Sequence, residues 1–361
     1  MKLHIFNPEH DISLGANDVH FTAPHAGRKL RCDLGFLPAL WADDGDCVLV
    51  EDISRAQKCV RYYSKYAAKV LFVTPDVIRN LQFSSVEPWG WDLSIYGELL
   101  RNGVGESSLP SMEQLSRIRD ISNRRWASMS LLPELQTKGT VGKAFFVQSA
   151  AYVKELLDIR GSIVLKSPWS SSGRGVRYVE AKDWNEKLEG WVNNVVKRQH
   201  GIEVEPKYNK VRDFGMEFLS GADGVSYTGL SIFRTEKGFY TGNILAQESA
   251  KREMISKYIS LDLLESVKEK ICNLLTIALR NVYRGPLGVD MMIVAGGESG
   301  RELLLHPCVE LNLRRTMGHV ALALSPSDKE PQRLMRITME DGRYHFRIAD
   351  TNENVLDRDI F

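Results

Sequence analysis

The sequence predicts an α/β (α+β) chain of three units, and two observations carry the prediction. Through residue 105, short apolar runs alternate with helical stretches, the rhythm of a small parallel sheet. After residue 201 the rhythm changes to closely spaced strands, then one long amphipathic helix and a hairpin. Turn-rich segments place the expected boundaries at residues 1–105, 106–200 and 201–361. A chain of 361 residues has room for them at about 100–200 residues per domain.

Taken in order, residues 3–6, 47–50 and 70–73 read as strands, with helices expected over 31–41 and 54–66. Residues 86–92 read as a connector into a helix over 93–101. Residues 111–132 read as a helical pair or one broken helix, and Ser149 as the cap of a helix reaching 157. Strands at 162–166 and 176–179 flank a loop, and 183–196 is helical, with Trp184, Leu188 and Trp191 toward the core. Further strands are expected at 202–204, 214–219, 226–233 and near 238–244. The long helix, over about 261–282, repeats Leu264, Val267, Ile271, Leu274 and Leu275 at helical spacing, and Gly285-Pro286 stops it. Residues 288–294 and 302–313 form a hairpin with its tip at 298–301, and a last strand is expected over 344–348.

Composition excludes several classes of function. Lys and Arg total 47 against 46 Asp and Glu, so the chain lacks the basic excess used to grip a nucleic-acid backbone. Hydrophobic residues at 43% exclude a disordered chain. No run approaches the roughly 20 apolar residues that span a bilayer, and the start has no secretory core. Cys32, Cys47, Cys59, Cys272 and Cys308 form no CxxC pair, and the eight histidines form no HExxH. A cytoplasmic protein with reduced thiols and no zinc site is expected.

Three segments could carry chemistry. In the first, a strand delivers Lys166 into a loop containing Ser170, Ser171, Ser172, Gly173 and Gly175. Small residues let backbone N–H groups approach phosphate oxygens, and the lysine adds a point charge. The same residues alone fit an exposed hairpin loop equally well. In the second, Glu310 and Asn312 are two apart, so they share a strand face with Arg314 beyond them. The hairpin register sets Asp290 opposite residue 309 or 310, and three oxygen groups together suit a hard cation such as Mg²⁺. A solvated strand face is the alternative. The third is Glu205-Pro206-Lys207 with Asp213 beyond it, an extended segment that could meet a base edge or simply end a strand. Asn7-Pro8-Glu9-His10-Asp11 follows the first strand, where α/β sheets place ligand groups, although an ordinary turn fits as well.

In this order and spacing, the three segments resemble the ATP-grasp superfamily over roughly residues 111–325. The Glu310-x-Asn312-x-Arg314 form is similar to that of its biotin-carboxylase-like and purine-ligase-like branches. The resemblance implies two α+β subdomains gripping ATP, preceded by a small parallel-sheet domain. It implies that Lys166 meets the α/β phosphates under the loop, and that Glu205 with the main chain of Pro206 and Lys207 holds adenine. It further places Asp213 at the ribose, and one or two Mg²⁺, replaceable by Mn²⁺, on Asp290, Glu310 and Asn312. Arg314 would steady the transferred phosphoryl group. Arg124, or Arg125 beside it, stands where the family usually has a phosphate-binding lysine. The implied activity is an ATP-dependent ligase joining a small carboxylate to an amine or thiol through an acyl phosphate. A small-molecule kinase and a non-catalytic nucleotide-binding module are the alternatives.

Overall fold

Residues 1–170, 175–236, 239–296, 302–327 and 330–350 are described by a computed structural model. Its first sheet joins β1 (Lys2–Ile5), β2 (Cys47–Leu49), β3 (Leu71–Val73) and β4 (Ser85–Pro88), all parallel, in the order β3-β2-β1-β4. The helix expected over 31–41 is instead a helix at His25–Leu34 and a 3-10 turn at Leu37–Leu40 that carries Pro38. Strand β4 occupies the segment read as a connector. Its final Pro88 argues against a strand in sequence, but β4 lies at the sheet edge, where a missing N–H is tolerated.

A second, antiparallel sheet contains β5 (Phe145–Val147), β6 (Ser162–Lys166), β7 (Val176–Glu180) and β8 (Ile202–Pro206), ordered β5-β8-β6-β7. Helices Ala150–Arg160 and Glu186–Gln199 bury Val153, Leu157, Val192 and Val195 in its core, and Trp184, Leu188 and Trp191 pack against them. The boundary expected at 200/201 falls just before β8, which hydrogen-bonds to strands of the preceding segment.

The third sheet is built from β9 (Asn209–Ser220) and β10 (Val225–Ser231). After β11 (Phe233–Glu236) and β12 (Phe239–Leu245), it is completed by β13 (Gly285–Gly296) and β14 (Glu302–Asn312), giving the order β10-β9-β13-β14. The long helix, Leu261–Leu279, packs Leu264, Val267, Ile271 and Leu275 into the core of this sheet, beside Phe214 and Phe218. A fourth sheet runs β11-β12-β15-β16, with β15 (Arg333–Glu340) and β16 (Arg343–Asp350). The last of these covers the expected 344–348 strand, whereas β15 had no counterpart in the sequence reading. The expected hairpin tip at 298–301 lies outside the described residues.

One hydrophobic core ties the two ends of the chain together. Phe6, Leu34, Phe36, Leu37 and Trp89 pack with Leu245, Val320, Leu324, Met335 and Phe346. The backbone N–H of Tyr344 donates to Asp33 Oδ2 at 2.7 Å, and the Tyr63 hydroxyl donates to the Phe346 carbonyl. Among the described residues no helix is long and apolar enough to cross a membrane. The five cysteines are free thiols.

Candidate active site

Strand β6 ends in Lys166, which pairs in register with Val176 on one side and Glu203 on the other. The lysine is 6% exposed, and its Nζ donates to Glu205 Oε1 at 2.6 Å and to the Val309 carbonyl at 3.3 Å. Burial alone would lower its pKa, but Glu205 and then Glu203 outweigh that and hold it above the ordinary value. The Glu203 carboxyl pKa is raised as well, by burial and then by the charge of Glu205. Glu205 therefore holds this ammonium directly, and Glu203 adds its charge from farther off.

Arg124 enters from the turn after helix Met112–Ile121, where the Asn123 side chain accepts the N–H of Arg125. Its guanidinium is buried and donates to the Ser167 carbonyl at 2.5 Å, Ser170 Oγ at 2.8 Å and Glu310 Oε1 at 2.6 Å. Arg125 instead lies over the Phe146 ring, 5.0 Å from its centroid. Of the two arginines considered, Arg124 is the one that lines the cavity. Gly175 closes the near end of the loop because a Cβ there would lie 2.4 Å from Ser170 Oγ. Ser171, Ser172 and Gly173 lie outside the described residues.

On the facing hairpin, Asp290 is directly opposite Glu310, as the register argument requires, and Asn312 follows two residues on. Asn312 Nδ2 donates to Asp290 Oδ2 at 3.1 Å, while its Oδ1 accepts from Arg314 Nη2 at 2.8 Å. Burial, then the neighbouring Glu310 charge, push the Asp290 carboxyl up to about 7. Two partly buried carboxylates and an amide close together form a hard oxygen donor set that a cation would relieve, which fits Mg²⁺. Among the described residues no group of three or more His, Cys, Asp or Glu converges on one point, so phosphate and water oxygens must complete such a site.

Strand β8 ends at Glu205 and Pro206, and Asp213 follows on β9. Asp213 accepts from Lys210 Nζ at 2.5 Å and from the Thr235 hydroxyl. The Lys207 side chain is exposed and donates to Glu180 Oε1 at 3.2 Å, leaving only its main chain for the expected role.

These parts face one cavity of about 390 Å³, lined by Arg124, Lys166, Ser170, Glu205, Pro206, Asp213, Asp290, Glu310, Asn312 and Arg314. Val164, Tyr178, Met291 and Val309 supply apolar walls. Lys207 and Gly175 are not among its lining residues.

No family model matches the sequence, and no curated protein matches it. Solved structures do. N5-carboxyaminoimidazole synthetase from Staphylococcus aureus, complexed with ADP, superposes at a TM-score of 0.54 and 13% identity, covering 99% of this chain and 95% of that one. N5-carboxyaminoimidazole ribonucleotide synthetase from Thermus thermophilus gives 0.51 and 13%, over 98% and 94% of the two chains. Biotin carboxylase from Campylobacter jejuni, in a β,γ-ATP complex, gives 0.50 and 14%, over 94% and 76%.

The chain has the ATP-grasp fold. In ATP-grasp terms the cavity lies between the two sheets that grip it, with Lys166 and Glu205 from the second and Asp213, Asp290 and Glu310 from the third.

Two residues of this cavity escaped the sequence reading. Asp11, weighed only as part of a turn, lies in the first turn of helix His10–Ala16. It accepts from Arg314 Nε at 3.0 Å and Nη2 at 2.9 Å. Asp92 fixes that helix: its Oδ2 is 3.1 Å from His10 Nδ1, and its Oδ1 accepts from Ser13 Oγ at 2.7 Å. The second is Glu217, 2% exposed on β9, whose carboxyl is pushed up to about 8 by burial. The visible signal for Glu217 was a lone acid in the apolar run Phe214-Gly215-Met216-Glu217-Phe218.

Proposed function

We propose that this protein is an ATP-dependent, Mg²⁺-requiring ligase that joins a small carboxylate to an amine or thiol. The observation that carries the reading is the convergence of Lys166 and Arg124 with Asp290, Glu310 and Asn312 on one cavity. Phosphoryl transfer needs mainly positioning and charge neutralisation, and these are what such a set supplies. The resembling structures are named as synthetases and a carboxylase, and two are nucleotide complexes, which agrees with the reading.

The roles follow from chemistry. Lys166 and Arg124 hold the phosphates, with Ser170 and the loop donating alongside. The Pro206–Lys207 main chain and the apolar walls take the base, and Asp213 takes the ribose hydroxyls. Asp290, Glu310 and Asn312 would hold Mg²⁺, which when bound neutralises charge between the phosphates. Arg314 steadies the phosphoryl group as charge develops on it. The substrate carboxylate attacks the γ-phosphorus, ADP leaves, and the nucleophile then displaces phosphate from the acyl phosphate. A cytoplasmic setting accords with the free thiols.

The test is trapping with hydroxylamine during ATP turnover over a panel of small carboxylates. A hydroxamate formed together with ADP supports the acyl phosphate. ADP formed with a stable phosphate ester and no hydroxamate would replace the ligase reading with a kinase.

A further inference from the structure

Past Asp290, Glu310 and Asn312 the cavity continues into an end that the nucleotide reading leaves without an occupant. Its floor is polar. Thr316 Oγ1 donates to Glu217 Oε2 at 2.8 Å, and Asn243 Nδ2 donates to Ser231 Oγ at 2.8 Å. Gly318 makes room for the acid, since a Cβ there would lie 1.8 Å from Glu217 Oε1. The wall is apolar: Phe6 and Trp89 meet edge to face at 5.1 Å, with Met317 beside them on the cavity lining.

The charges lining the cavity are almost all matched. Asp11 pairs with Arg314, Glu205 with Lys166, Glu310 with Arg124, and Asp213 with Lys210. Among the described residues, the lining acids without a lysine or arginine partner are Asp290 and Glu217. Asp290 belongs to the oxygen set for the cation. Glu217 is left with hydroxyl donors and with His319, whose Nδ1 is 3.0 Å away and which burial keeps neutral. Burial keeps this acid protonated while the site is empty, and an incoming ammonium would let it ionise and pair.

We propose, resting on the ligase reading, that this end is the acceptor subsite and takes a primary amine on a small apolar body. Glu217 holds the ammonium, and Phe6, Trp89 and Met317 cover the apolar part. This selects an amine over a thiol, which carries no cation to match the acid. It also disfavours a phosphorylated acceptor, because a phosphate at this end would face the acid Glu217.

The experiment is calorimetric titration of the ADP–Mg²⁺-loaded protein with phenethylamine, phenethyl alcohol and phenyl phosphate, on wild type and Glu217→Gln. Phenethylamine should bind wild type at least tenfold more tightly than the other two, and lose at least tenfold in Glu217→Gln while ADP affinity is unchanged. Equal binding of the alcohol or the phosphate overturns the proposal, as does an amine affinity indifferent to Glu217→Gln. If that variant does not fold, the ranking in wild type decides. Failure of ADP to bind wild type removes the ligase reading and this inference with it. ADP binding without amine binding removes this inference alone.

Discussion

Replacing Glu217 by glutamine should stabilise the ligand-free protein, and more so as pH rises. The carboxyl is almost fully buried, and its pKa rises from an ordinary 4.5 to about 8, chiefly through desolvation. The folded state thus binds this proton more tightly than the unfolded state. The group costs nothing below the unfolded midpoint, and its cost grows through pH 4.5 to 8 as the unfolded chain ionises first. At about 1.36 kcal/mol per pH unit, the cost is about 3 kcal/mol at pH 7 and about 4–5 kcal/mol above pH 8. Glutamine keeps the size and can still accept from Thr316, so it removes the titration at a cost of about 1 kcal/mol for imperfect hydrogen bonding. The assay is urea unfolding of both proteins at pH 5, 7 and 9, with equal slopes required. The variant's advantage should be near zero or slightly negative at pH 5 and several kcal/mol at pH 9. An advantage that does not change with pH would refute the account of a proton held by burial.

Three other outcomes are expected. Lys166→Ala should weaken ATP binding in calorimetry by about 1.5–3 kcal/mol, the worth of a charge-assisted contact; unchanged affinity would make Lys166 a structural partner of Glu205 only. Glu310→Gln should leave ADP binding largely intact and lower turnover by orders of magnitude, measured as ADP release, because it removes charge from the proposed cation site. Wild-type rates would leave the hairpin without a catalytic role. Asp11→Asn should cost about 3 kcal/mol in urea unfolding, since Arg314 loses a two-point partner in a largely buried setting; a loss below about 0.5 kcal/mol would mark the pair as an ordinary surface bridge.

Much of this site was legible because its residues obey local rules. Glu310 and Asn312 share a face because strands alternate every two residues, and Asp290 meets Glu310 because a hairpin fixes register. Lys166 at a strand end before a small-residue loop is likewise a local pattern. What stayed hidden depends on distant partners. Asp11 finds Arg314 across 303 positions, and no periodicity links the two. Glu217 matters because Gly318 and Thr316 from a later helix close over it. The same holds for the fold: β15 is defined by pairing with β12 and β16, and its own residues, with Arg336 in their midst, show no regular alternation.

The core that joins Phe6 and Trp89 to Met335 and Phe346 has a consequence for how the chain comes into being. A polypeptide emerges from synthesis N-terminus first, and early segments ordinarily settle as they appear. Here the first sheet precedes its partners in the chain, and Leu37 and Trp89 share a core with residues as far on as Met335 and Phe346. Until those emerge that apolar face is open to water and to other chains, and closing so long a loop is slow. A fragment ending before residue 346 therefore keeps the core formed within residues 3–104 but leaves this second apolar face uncovered.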